Sequence, residues 1–187
     1  TTNVGVTCLI DFIARYGSSP ADHPVSKGIK SDESETEINL TDKNPVLFIY
    51  KTMNEGHVGS QSFFKLHAGT LTPGADLKNT THKSSERINQ IHVLNGKDRV
   101  SVDEMAPGDL GALVKLKHTH TCDTLVGGKL DAALPPIEFP GANIHFALRS
   151  KGKGDEDKIA VGLAALHEED PTFIYRVDGD LHQTVIS

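Results

Sequence analysis

Between Val46 and Leu125 the chain breaks repeatedly into short β-prone runs, VLFIYKT, SQSFFKLHAG, TLTPGADLKN, RINQIHVLNG and DLGALVKLKH, and no other feature limits its fold so tightly. Glycine, proline and asparagine punctuate them, and many short strands at this spacing predict a mainly β fold of the small barrel or sandwich type. Thr72-Pro73-Gly74-Ala75 and Leu94-Asn95-Gly96-Lys97 hold the residues that tight turns need, proline to fix φ and glycine to allow a positive one. Both are expected at exposed corners.

The flanks read differently. Val4, Cys8, Leu9, Phe12, Ile13 and Tyr16 recur at three- and four-residue spacings, with Thr2 or Asn3 available to cap the start and Gly17 to stop the turn. That pattern predicts one short amphipathic helix, whose apolar face must lie against something. Residues 18–44 carry Pro20, Pro24, Gly28 and an acidic run at Asp32, Glu33, Glu35 and Glu37, and read as a solvated linker or loop. A second linker, residues 131–141 with Pro135-Pro136 and Pro140, leads to a new pattern. There Ile144, Phe146 and Leu148 alternate as on a strand, Asp155 stands where it can cap a helix bearing Ile159, Leu163 and Leu166, and Asp170-Pro171 ends it. Two more strands, residues 172–177 and 181–187, flank Asp178-Gly179-Asp180 as a hairpin would. The order β-α-β-β is the start of a ferredoxin-like unit, which normally goes on to a second helix and a fourth strand.

Composition excludes several functions. The apolar runs are only a few residues long, far short of the ~20 that span a bilayer, which predicts a soluble, cytoplasmic protein without a membrane partner. Cys8 and Cys122 are expected as reduced thiols rather than a disulfide framework. A formal charge of -6 argues against coating nucleic acid by bulk charge, so any RNA contact must be a local patch.

Four stretches then resemble one family in the right order. FFKLHAGTLTPGADLKN is similar to the domain II signature of bacterial elongation factor G, an aromatic strand entering a G-T-L-x-x-G hairpin. APGDLGALVKLKHTHTCDTL resembles its later A-G-D-I…L-K-x-T-x-T-G-D-T-L segment, with Cys122 where the family carries glycine, which sets a positive φ there in doubt. LPPIEFPGANIHFALRSKGKGDEDKIAVGLAALHEEDPTF resembles the crossing into domain III, and HQTVIS the segment that follows. The opening helix with YGSSPADHPV resembles the end of the family's GTPase domain and its exit peptide, Gly17 replacing a customary leucine. SSERINQIHVLNGKDRVSVDEM and KLKHTHT are closer in character to the elongation factor G-like paralogues.

The resemblance implies a layout: residues 1–17 as the terminal helix of a GTPase domain, 18–44 a linker, 45–130 a small closed β-barrel of the domain II type, 131–141 a linker, and 142–187 an incomplete ferredoxin-like domain III. It implies a ribosome-binding parent that uses GTP and Mg²⁺ to promote tRNA-mRNA translocation, with this segment as a non-catalytic docking and relay part. A ribosome-protection protein or a peptide release factor is the related alternative. Lys83, Arg87, Lys97, Arg99, Lys115 and Lys117, which punctuate the barrel, become candidate contacts to small-subunit rRNA. Neither Gly96-Lys97 nor Gly128-Lys129 completes a phosphate-cradling P-loop, so no cofactor and no GTP hydrolysis are expected of this stretch itself.

Other constellations have plainer readings. His118, His120 and Cys122 alternate and on a strand would face one way, a donor set that suits zinc, but a fourth distant ligand is missing and the plain reading is a turn. A metal hydrolase built on them is the alternative function. His67 or His92 with a serine and an aspartate could be assembled into a triad, yet no nucleophile-elbow sequence accompanies them and they read as surface residues. Glu168-Glu169-Asp170, opposed to the helix dipole, reads as an exposed terminus. No catalytic or metal-binding residue is assigned.

Overall fold

A computed structural model describes residues 3–55, 59–96, 98–150, 152, 154–178 and 183–187. The opening helix, α1 (Val6–Tyr16), begins at Gly5, whose φ of 82° makes the turn into it, rather than at Asn3, and ends at Gly17. Phe12 and Tyr16, one turn apart, stack at 4.9 Å, but none of its residues is buried. Beyond a single 3-10 turn, residues 18–44 are not the loop expected. They form an antiparallel hairpin, β1 (Val25–Ile29) with β2 (Glu35–Asn39), and only the acidic tip and outer face meet solvent.

Eight strands make the central sheet: β3 (Val46–Glu55), β4 (Gly59–Ala68), β5 (Asp76–Asn79), β6 (Ser84–Arg87), β7 (Ile91–Asn95), β8 (Asp98–Val102), β9 (Leu110–Val114) and β10 (Thr124–Val126). Their order is β6-β5-β10-β3-β4-β9-β7-β8 with every pairing antiparallel. Alternation places Leu47, Ile49, Phe64, Leu66, Leu77, Ile91, Leu113 and Leu125 on one concave face, joined by Leu71, Ile88 and Met105 from the connections, as one buried core. The corner at Gly74 is exposed, with φ 88° and the Ala75 N–H donating to Thr72 O at 3.3 Å; Gly96, φ 62°, turns β7 into β8. Gly69 is required for space as well as φ, because a Cβ there would lie 2.4 Å from the Asn44–Pro45 backbone.

The closed barrel expected from the resemblance is corrected. Among the described residues no ladder joins β6 to β8, so the sheet curls without closing. At the β6 edge the Glu86 carboxylate, rather than a strand backbone, receives the N–H groups of Lys117 and His118. Leu71 and Met105 add a single backbone bridge.

A second, smaller core unites the two stretches read as linkers. Ile38 of the hairpin, Val46, Ala68, Val126, Ala132 and Leu134 are buried together. Ile29 and Ala133 exchange backbone hydrogen bonds of 2.7 and 2.8 Å, and Leu134 N–H donates to Thr124 Oγ1. At ~25 cal/mol per Å², burying these side chains contributes several kcal/mol to holding both stretches on the sheet.

The last unit runs β11 (Phe146–Leu148), α2 (Glu156–Glu169), β12 (Tyr175–Asp178), β13 (Gln183–Ile186), the β-α-β-β order expected, in an antiparallel sheet ordered β11-β13-β12. Asp155 occupies the N-cap position without a side-chain cap bond, and Asp170 ends the helix. Of the predicted stripe Leu163 is buried, Ile159 is half-buried and Leu166 stays exposed. Helix and sheet leave a cleft of ≈ 720 Å³ between them. The turn predicted at Asp178-Gly179-Asp180 lies mostly outside the described residues.

Candidate nucleic-acid interface

Two buried carboxylates shape the loop that follows β9. Glu86 is the inward-facing residue of β6 and only 5% exposed. It accepts from Lys117 N–H at 3.0 Å, His118 N–H at 2.6 Å and the Thr119 hydroxyl at 3.1 Å. A desolvated carboxylate is tolerated only with such a full donor set. Asp123, 2% exposed, accepts from Asn79 Nδ2 and from the His120 N–H, both at 2.8 Å, while its other oxygen faces His82 Nε2 at 3.2 Å. Asn79, fully buried, also donates to His118 O and accepts from the Thr81 and His82 N–H groups. Residues 117–120 and 123 are therefore held from beneath by β5, β6 and their connection.

That loop and its surroundings carry most of the candidate basic residues. Lys115 and Lys117 are exposed on it, Lys115 with φ 61° and its N–H on Ser60 O at 3.2 Å. Arg87 follows Glu86 directly and points outward, 3.8 Å from Asp76 in a wholly exposed pair of little energetic weight. Lys83 is exposed in the turn entering β6. Through Glu86, Lys117 is brought to the β6 edge that Lys83 and Arg87 flank, whereas Lys115 leaves β9 with its N–H on Ser60 of β4. Arg99 is half-buried on β8, at the other end of the strand order. Lys97 lies outside the described residues.

The acidic and histidine groups around the loop differ from their sequence readings. His120 Nδ1 lies 2.7 Å from Glu168 Oε2, and Glu169 Oε1 accepts from Asn54 N–H at 2.9 Å, so the glutamates ending α2 meet the sheet instead of standing in solvent. Cys122 keeps the positive φ, 74°, that glycine would adopt, its N–H on Ile49 O at 2.7 Å. His118, His120 and Cys122 stand on a loop rather than an alternating strand, and among the described residues no group of three or more His, Cys, Asp or Glu side chains is arranged to hold a metal.

His67 and His92 are not surface residues. His92 is buried with Nδ1 3.3 Å from the Ser101 hydroxyl, and burial, then the Arg99 charge, pushes its titration down. His67 Nδ1 is 2.9 Å from the Ser26 hydroxyl, and burial with the nearby Lys65 charge lowers its pKa to about 4. Each has a serine, but no described carboxylate contacts either ring. Both therefore act as neutral structural hydrogen-bonding groups.

Nor does either Gly-Lys pair offer a nucleotide cradle. Gly96 is a hairpin corner, and a Cβ on Gly128 would meet the Asn44 side chain at 2.9 Å, with no helix opening behind either to present N–H groups to a phosphate. Among the described residues, neither Gly96 nor Gly128 opens a loop-to-helix cradle that would fit GTP.

With this geometry in view, the comparisons with known proteins agree with it. The family model for elongation factor G domain 2 matches residues 45–128, and that for elongation factor G domain III matches residues 139–187. A crystal structure of a protein from Thermus thermophilus superposes with a TM-score of 0.77 at 23% identity, covering 97% of this chain. The chain spans 25% of the length of that structure. The curled sheet and the β-α-β-β unit after it are thus consecutive modules of a translation elongation factor. The chain belongs to the elongation factor G family.

Proposed function

We propose that this chain is the ribosome-docking and inter-domain relay part of a GTP-driven factor that promotes tRNA-mRNA translocation, and that its partner is small-subunit rRNA. The observation that carries the reading is the succession of the family's domain 2 and domain III on one chain. Chemistry here is positioning. In this reading Lys117, held near the β6 edge through Glu86, acts with Arg87 and Lys83, and with Lys115 at the start of the same loop, as a phosphate-contacting face on an otherwise acidic protein. In this reading α1 packs on the GTPase domain that binds GTP and Mg²⁺. The order β11-β13-β12 supports a ferredoxin-like domain III, since a split β-α-β unit inserts its third strand between the first two. We also propose the elongation factor G-like paralogue as the subgroup, on the character of residues 84–105 and of KLKHTHT. The test is co-sedimentation of the purified chain with isolated ribosomal subunits. Retention with the small subunit and not the large is expected; equal or absent retention would contradict the docking role.

A further inference from the structure

We infer that the cavity between β4 and the stretch leading into the β1–β2 hairpin is a binding site for a small phosphate-class oxyanion, received by Lys65, Ser18 and the Ser26–His67 pair. The site lies on β4, not on the β6 edge, and goes beyond the ribosome-docking reading.

The cavity has a volume of ≈ 370 Å³, and backbone hydrogen bonds frame it. Gly108 N–H donates to Leu66 O at 2.6 Å and Leu40 N–H to Pro24 O at 2.7 Å, which ties the connection before β9 and the hairpin in place around it. The turn that follows Ser19 is laid across Gly108, where a Cβ would collide with the Pro20 ring. On β4, Phe64 and Leu66 belong to the core, so alternation sends Lys65 and His67 to the opposite face, where both line the cavity with Ser18, Ser19, His23 and Ser26. A concavity of this size with a few convergent polar groups is the usual form of a small-ligand site.

The sign of the lining selects the ligand. Among the described residues it consists of a lysine, two imidazoles, serine hydroxyls and apolar groups, with no carboxylate. The acids nearest in sequence are held on backbone amides instead, Asp22 on Ser19 N–H at 2.6 Å and Asp109 on Ala106 N–H at 2.9 Å. On a chain of net charge -6 this lining stands apart. The Ser26–His67 hydrogen bond, 2.9 Å long, leaves one donor of the pair over in either arrangement of its proton: Nε2–H when the hydroxyl donates, the Ser26 O–H when Nδ1–H does. Burial, then the Lys65 charge, holds the His67 pKa at about 4, so the field of that lysine reaches the ring without an anion to offset it. An oxyanion placed among these groups gains charge-assisted hydrogen bonds and offsets the lysine, whereas a cation meets like charge.

The test is titration of the full chain with inorganic phosphate, followed by amide and imidazole NMR spectra at about pH 7 and constant ionic strength. Saturable shifts are expected at Ser18, Ser26 and His67. Lys65→Gln removes the charged donor from an exposed position and should weaken binding roughly fivefold or more. Lys51→Gln, at an exposed lysine of β3 that does not line the cavity, should leave the affinity unchanged. In saturating phosphate the His67 titration should move upward from about 4, because a neighbouring negative charge favours the protonated ring. A parallel titration with dimethyl phosphate, a diester monoanion, separates the sources. Saturable binding of the diester marks a nucleic-acid backbone phosphate, binding of inorganic phosphate alone marks a free or terminal one, and either supports the site. Non-saturating shifts with both anions, equal affinity in wild type and Lys65→Gln, or a His67 titration unmoved by saturating phosphate would each overturn it.

Discussion

Single residues here settle questions that composition leaves open, and histidines show it most directly. His67 is held neutral, its pKa lowered to about 4 by burial and then by Lys65, while an unfolded chain would titrate near 6.5. The unfolded state therefore binds the extra proton first as the solution is acidified. Stability from this site is complete above about pH 6.5 and declines as pH falls towards 4. Discounted for its partial exposure, the loss is on the order of 1–2 kcal/mol. Urea melts at pH 7.5 and 4.5 should show that decline reduced in His67→Gln, and equal slopes in the two proteins would remove His67 from the account. Glu86 gives a second prediction. Glu86→Ala strands three donors beneath the loop, with an expected cost of about 2–4 kcal/mol and faster amide exchange at Lys117, His118 and Thr119. Wild-type exchange at those amides would show that the carboxylate does not hold them. Neither role was legible in the sequence, because an acid in a run such as Ser84-Ser85-Glu86-Arg87 looks solvated until a distant loop is laid over it.

Elements were legible where their signal is local. The strands from β3 to β10 follow from alternation and from corners such as Pro73-Gly74, properties of a few consecutive residues. The hairpin β1–β2 was not, because its apolar content is slight and its burial depends on Ala132 and Leu134, nearly 100 residues away. Closure of the barrel was misjudged because pairing between the two edge strands, β6 and β8, is not a property of a few consecutive residues. The amphipathic pattern of α1 was read correctly, but it has no buried residue, and an 11-residue helix without a packed face is marginal in water. Amide exchange from Val6 to Tyr16 should therefore approach unprotected rates while β3, β4 and β9 exchange slowly. Comparable protection of α1 in a proven monomer would contradict its isolation.

For the whole molecule, the central claim is that a preformed basic edge on a chain of net charge -6 meets rRNA phosphates. Of the six basic residues named from the sequence, the five described divide in space: Lys83, Arg87 and Lys117 lie about the β6 edge, Lys115 leaves β9 beside β4, and Arg99 sits on β8. Strand alternation could suggest outward-facing lysines, but only the long-range contact of Glu86 could reveal that Lys117 stands near Arg87. A charge-driven contact has a signature that shape alone lacks, since each phosphate neutralised releases counterions and steepens the dependence of affinity on salt. The most direct measurement is the affinity of the chain for isolated small ribosomal subunits across a salt series, compared with Lys115→Glu/Lys117→Glu. The account predicts weaker binding at low salt and a log–log salt slope shallower by roughly 1–2 for the double variant. An unchanged affinity and slope in a folded double variant would contradict it.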